Sequence, residues 1–273
     1  MAWKRLRRDP AAIVAMVVLA LLVAAVALAP LLSVASPYDG DLALRRQPPS
    51  AAHLFGLDAA GRDLLARVLY GGRSTMLAAL FATALGIVIG GGLGLYAGFF
   101  RGRVDDLLSG LMDLMFAFPF FLLAVLIVAV MGPGLLNAAV AVAVTNVPQY
   151  FRLVRSLTLG AAGSEYILAA RAIGSRDGRM LLRHILPNIL APVLVVGTVQ
   201  LANATLAIAG LGFIGLGAQP PRPEWGLMLS EGRSYLFDSP HLMLFPGLAL
   251  VLFATAANLA GDGLGQLDPR LKL

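Results

Sequence analysis

From Pro10 to Leu32 the chain runs without a charged residue, and almost every side chain in the run is apolar. A helix of that length, at ~1.5 Å per residue, spans the ~30 Å hydrocarbon core of a bilayer. Further apolar stretches follow at 75–100, 107–131, 135–155, 189–211 and 241–261. The whole chain of 273 residues is 59% hydrophobic and 13% charged, with a mean hydropathy of +0.82. Such values exclude an ordinary soluble domain and predict a polytopic, all-α membrane protein with six transmembrane helices. The first run has a competing reading as a signal peptide, because Ser33-Val34-Ala35 resembles a small-residue cleavage site. It is longer than a signal core of ~7–15 residues, so an uncleaved first helix is expected.

Charge sets the orientation. With six spans and both termini cytoplasmic, 14 of the 21 Lys and Arg fall inside: four in the head 1–9, two at 101–103, six from Arg152 to Arg183 and two in the tail. Seven fall outside, a two-to-one bias that satisfies the positive-inside rule. The net charge of +6 therefore belongs to membrane anchoring beside lipid and does not point to nucleic acid. There is no Cys, hence no disulfide and no thiolate metal site. Lys4 and Lys272 are the two lysines, and neither follows a glycine-rich loop, so there is no nucleotide-binding P-loop. If ATP drives this protein, another chain binds it. His53, His184 and His241 form no plausible metal cluster, and no nucleophile–base pair is present, which argues against an enzyme.

Several polar or small residues interrupt the spans. Asp113, about two turns into the third, reads either as a proton relay or as a cytoplasm-side carboxylate paired with a nearby arginine. Phe118-Pro119 predicts a kink in that span. Asn146, Gln200 and Asn203 line a path or form interhelical hydrogen bonds, the latter worth only ~0.6 kcal/mol on average in membranes. Gly86, Gly90, Gly94 and Gly98 recur every fourth residue, a stripe that lets another backbone approach closely.

The polar, basic island Ser164–Pro187 is where the apolar pattern breaks. It reads as two short helices. Ser164 caps the first, with Glu165 in its first turn. Gly174 supplies a left-handed C-terminal residue. Ser175 caps the second, with Asp177 in its first turn, and Pro187 predicts a break or kink at Leu186. One reading of this knob is an interfacial loop whose arginines, Arg171, Arg176, Arg179 and Arg183, rest on anionic head groups. The frame of Ala169-Ala170, Gly174 and Leu186-Pro187 supplies another, because it resembles the cytoplasmic coupling loop of ABC importer permeases. Leu168 stands where that motif has its acidic residue, and His184 where isoleucine is usual.

Other stretches resemble the dipeptide, oligopeptide and nickel branch of the same family, in its second-permease type. They are FGLDAAGRDLLARVLYGGRSTML at 55–77, with Gly-Arg-Asp at 61–63, and MDLMFAFPFFLLAVLI from Met112. The terminal Asp268-Pro269-Arg270-Leu271 is a third. The most specific is LGFIGLGAQPPRPEWGLMLSEGR at 211–233, where GAQPP and PEWG stand almost adjacent. In that loop the prolines stiffen an extended segment, Trp225 is expected at the membrane interface, and Glu224 has no partner carboxylate for catalysis. Read without the resemblance, 55–77 is a short amphipathic helix on the outer leaflet.

The resemblance implies a type I importer-like subunit of the bacterial cytoplasmic membrane. It divides the chain into a basic head 1–9, a first helix 10–32 and a periplasmic segment 33–74. A five-helix core 75–264 follows, with coupling loop 156–188 and periplasmic loop 212–240, then a tail 265–273. It further implies a second homologous permease, two ATPase subunits holding ATP and Mg, and an extracytoplasmic solute-binding protein. Coupling falls to Glu165, Ala169, Ala170, Arg171, Gly174, Ser175, Asp177, Arg183, His184, Leu186 and Pro187, and the path to Asp113, Asn146, Gln200 and Asn203. The rival classes are a proton-driven secondary transporter, which needs paired mid-membrane carboxylates, and a channel, which needs no glycine-hinged knob.

Overall fold

The computed structural model describes residues 10–32 and 35–265. The basic head 1–9, residues 33–34 of the cleavage-site reading and the terminal 268–271 lie outside the described residues. The described chain is helical: α1 (Pro10–Ala27), α2 (Ala29–Leu32), α3 (Leu64–Gly86), α4 (Gly92–Phe100), α5 (Gly102–Phe116), α6 (Phe120–Met131), α7 (Leu135–Ala162), α8 (Glu165–Ala172), α9 (Asp177–Arg179), α10 (Leu186–Phe213), α11 (Trp225–Gly232) and α12 (His241–Gly265). Among the described residues there is no strand. Two isolated bridges, Gly40 with Arg62 and Leu57 with Asp63, stitch the segment before α3.

Four described helices are long and apolar enough to cross a membrane: Pro10–Ala27, Leu64–Phe100, Asp177–Phe213 and His241–Gly265. A fifth crossing results if α5 and α6 count as one broken span. Six is thus not reached by length and composition. The expected fourth span lies within α7, which carries Asn146, Pro148 and Gln149. It buries Asn146 and Pro148 because it is the central helix, with thirteen buried residues from Ala138 to Thr158 and α3, α4, α6 and α10 packed around it, while Gln149 is exposed.

Three expected boundaries move. The separate outer helix and second span are one helix, from Leu64 through a π turn at Ile87–Gly91 to Phe100. Asp63 starts it, its carboxylate accepting from Ala66 N at 2.8 Å, and Gly71-Gly72 do not stop it because they seat the Trp225 ring and Met228. The third span is a corner rather than a kinked helix. Pro119 turns the chain by 92° between α5 and α6, because it can neither donate into the ladder nor leave Phe118 helical. At Leu186, conversely, the expected break is absent. A π turn over Met180–Ile185 feeds α10 without interruption, and this change of winding directly before Leu186 accommodates Pro187 in the first turn of α10.

The glycine stripe faces α7. A Cβ added at Gly90, Gly94 or Gly98 would lie 2.4, 2.5 or 2.7 Å from the carbonyl oxygens of Val147, Phe151 and Arg155. This is close intramolecular packing, the small-residue solution to helix association in lipid. One end of the bundle gathers the 35–63 segment, the Gly132–Gly134 turn and the 214–240 loop, where Gly134 N donates to Leu216 O at 3.2 Å. The other end carries the turn at Arg101 and the knob. There Ile167, Met180 and Ile185 pack on Phe99 and Val154.

Candidate functional sites

The knob is held by its core and presents its tip. Ile167 is fully buried, while Ile173 at the tip is 86% exposed. Gly174 adopts φ +79°, and the two hydrogen bonds of a Schellman cap close α8: Gly174 N to Arg171 O and Ser175 N to Ala170 O, both 3.0 Å. Glu165 and Arg171 occupy the first and last turns of α8, matching the helix dipole. Two capping expectations are corrected. Ser164 holds the N-cap position, but its hydroxyl donates back to Ala161 O. Arg176, not Ser175, is the N-cap of α9, since the Schellman turn uses Ser175 as its last residue; Asp177 is in the first turn as expected. Ala169, Asp177, Arg183 and Pro187 are exposed, Ala170, His184 and Leu186 half-buried. Asn188 ties the two sides of the knob together, donating to His184 O at 2.7 Å and reaching Tyr166 Oη at 3.3 Å.

The amides converge. Asn146 on α7 and Gln200 and Asn203 on α10 line one cavity of about 380 Å³, together with Gln149 and the rings of Phe120 and Phe121. Asn203 Nδ2 donates to Gln200 Oε1 at 2.8 Å, a bond within one helix, not between two. Asn146 is 2% exposed, and its Nδ2 has no hydrogen-bond partner among the described residues. Asp113 is not with them. It sits on α5, its side chain two-thirds exposed, accepting from Arg152 Nη2 at 2.6 Å. Arg152 also lies over the Phe116 ring, 3.8 Å from its centre. One turn of charge further along, Arg155 grips both carboxylate oxygens of Asp105, so two ion pairs fasten α5 to α7.

At the loop end, polar groups are buried and joined. Arg67 in α3 is fully buried, with Nη2 donating to Glu231 at 2.9 Å and Nη1 3.4 Å from both Pro37 O and Pro221 O. Its Nε lies 3.1 Å from Asp58, an ion-pair distance without hydrogen-bond alignment. Asp58 also takes Arg62 Nε at 2.7 Å. Gly61, at φ +74°, abuts Asp41 so closely that a Cβ would sit 1.9 Å from its carbonyl oxygen. Glu224 is fully buried as the N-cap of α11, accepting from Gly226 N and Leu227 N at 2.8 and 2.9 Å, with the Thr75 hydroxyl 3.1 Å away. Burial pushes its carboxyl above the ordinary range, against the pull of those three bonds. Trp225 is buried too, contrary to the interfacial expectation, and its Nε1–H donates to Val68 O at 2.8 Å. Gly226 admits no side chain, since its Cβ would stand 2.0 Å from Ala209 O. The most specific signature in the sequence is thus a structural clamp.

The sequence model of the family described as binding-protein-dependent transport system inner membrane component matches residues 86–272. The chain belongs to this family. A second family model, the N-terminal TM domain of oligopeptide transport permease C, matches residues 1–49 of this permease. The dipeptide transport system permease protein DppC of Alkalihalophilus pseudofirmus is 43% identical over 272 residues, covering 99% of the permease and 90% of that relative. The glutathione transport system permease protein GsiD of Pectobacterium atrosepticum is 42% identical over 275 residues, with the same coverage. These likenesses identify the permease as a second-type subunit of the dipeptide, oligopeptide and nickel branch, a multi-pass protein of the inner membrane. In fold it is similar to a chain of the MetNI methionine ABC transporter in an inward facing conformation, with a TM-score of 0.59 at 21% identity over 74% of the permease and 96% of that chain.

Gln149 is the residue that sequence reasoning missed. Its signal is present, an amide three positions after Asn146 and so on the same helical face. Arg67 was missed as well, because an arginine on an apparently amphipathic helix reads as its solvated side.

Proposed function

We propose that this permease passes a di- or oligopeptide across the bacterial cytoplasmic membrane, driven by ATP hydrolysis on two separate ATPase subunits. A second homologous permease forms the other half of the pathway, and an extracytoplasmic solute-binding protein delivers the solute. ATP and Mg are held by the ATPase subunits. In this reading the chain crosses six times with both termini cytoplasmic, the broken pair α5–α6 and the central helix α7 being the third and fourth crossings. The charge bias and the common position of the Arg101 turn and the knob at one end support that topology.

The observation that carries the proposal is the knob: a glycine-capped projection with an apolar tip at Ile173 and a rim of arginines. A tip of that kind is costly against water and fits a groove on a partner. Closure of the ATPase dimer on ATP draws two such knobs together, and the bundle switches between inward-open and outward-open states, each favoured by a different ligand. Asn146, Gln200 and Asn203 line the path between them, and Asp113 stands at its cytoplasmic side.

The chain has no native thiol, so Ile173→Cys supplies a unique label. In membranes carrying the assembled complex, it is expected to react from the cytoplasmic side and to crosslink to an ATPase subunit with a yield that changes with ATP. Reaction from the outer side alone overturns the topology, and cytoplasmic reaction without a crosslink in an intact complex overturns the coupling role.

A further inference from the structure

We propose that the amide cavity is a transit site for the backbone of the solute, in which Asn146, Gln149, Gln200 and Asn203 hydrogen-bond uncharged peptide groups. The inference rests on the transport reading above and gives it a chemistry. The cavity, about 380 Å³, falls within the ~300–1,000 Å³ of small-molecule sites. Asn146 is almost wholly buried there with its Nδ2 unpaired among the described residues. A buried donor left so costs ~1–3 kcal/mol, which a passing carbonyl would recover once the amide turns toward the cavity.

On the facing helix, the bond from Asn203 Nδ2 to Gln200 Oε1 uses one donor and one acceptor. It leaves Gln200 Nε2 to donate and Asn203 Oδ1 to accept on the same hydrogen-bonded pair of amides. That pair matches the C=O and N–H of a peptide group. Gln149 and Asn203 are exposed on the side of an apolar bundle, a position too costly against lipid and suited to a water-filled path or a second permease.

The lining also says what the site does not suit. Among the described residues it holds no carboxylate, imidazole or thiolate, the groups that retain a bare divalent transition metal. The aromatic wall of Phe120 and Phe121 accepts side chains of varied shape without selecting among them. Neutral hydrogen bonds to a repeating backbone group are weak and sequence-tolerant, so the solute is held enough to enter and loosely enough to leave.

The test uses the complete transporter in nanodiscs, with Gln149→Cys as the one thiol of this chain, its maleimide reaction followed by mass spectrometry. A millimolar mixture of random di- and tripeptides is expected to slow the reaction several-fold. Nickel chloride and raffinose at the same concentration leave it unchanged, and adding Asn146→Leu abolishes the protection. Equal slowing by nickel or by the sugar, or protection that survives Asn146→Leu, overturns the proposal. Should that variant fail to assemble, Gln200→Met removes the donor from the other helix and is read in the same way. A rate that responds to ATP but never to peptides overturns the transit site and leaves the pathway standing. A rate indifferent to ATP as well, while Ile173→Cys still crosslinks to the ATPase, removes the cavity from the pathway and the transit site with it.

Discussion

At the loop end of the bundle Arg67, Glu224 and Trp225 are all buried and each is bonded across elements, whereas at the knob end Ile173, Arg176, Asp177 and Arg179 stand exposed. No ion pair joins those four among the described residues. Both ends are polar interruptions of an apolar chain, and both carry a family signature. They differ in where the bonding capacity is directed. The loop end uses its polar groups internally, to fix the 35–63 segment and α11 against α3 and α10. The knob end closes its backbone on itself at Gly174 and leaves its side chains exposed for another molecule. A signature is therefore no guide by itself to a contact surface. The more specific of the two describes the inside of the protein.

The contrast predicts a gradient of stability effects. Arg67→Ala is expected to be the most damaging, at about 3–5 kcal/mol, because it empties a fully buried site and leaves Asp58 and Glu231 with Arg62 as their one remaining ion-pair partner among the described residues. The detergent-solubilised complex should lose thermal stability accordingly, and an unchanged melting temperature would dissolve the distinction between the ends. Glu224→Ala removes an N-cap and leaves two buried N–H groups unpaired, for about 2–4 kcal/mol in the same assay. Trp225→Phe keeps an aromatic ring but gives up the buried bond to Val68 O and leaves part of the indole site empty, about 2–3 kcal/mol.

Asp113→Asn tests the exposed ion pair between α5 and α7. The pair with Arg152 is more than half exposed, so less than about 1 kcal/mol is expected, and transport should keep its dependence on ATP. Proton-driven uptake lost in that variant, with no requirement for ATP, would instead revive a proton-relay role. At the knob, Ile173→Ala should move the melting temperature least, within about 0.5 kcal/mol. It should nevertheless lower solute-stimulated ATP turnover, a split between stability and coupling that Arg67→Ala cannot show.

What the sequence disclosed followed from local rules. The apolar runs and the left-handed role of Gly174 depend on neighbours a few residues apart, and the Gly86–Gly98 spacing marks a packing stripe without naming the helix it meets. Pro119 was legible as a disturbance, but not its size, because the angle at a proline depends on what the two halves pack against. The continuity of α3 was hidden for a similar reason. Gly71-Gly72 look like breakers until Trp225, remote in the chain, is laid over them. The burial of Arg67 and Glu224 is also invisible locally, since each is neutralised or capped by groups from a different segment.

The π turn at Ile87–Gly91 divides the 37-residue helix Leu64–Phe100, with the clamp on its N-terminal side and the glycine seam running across it. A four-residue repeat on a regular helix creeps around the axis by about 40° at each step. The wider turn winds that creep back, which is how four glycines keep meeting one neighbour. It therefore acts as an index between two registers. Deleting one residue there would turn one half against the other by about 100°, so that either the guanidinium keeps its socket or the seam keeps its fit.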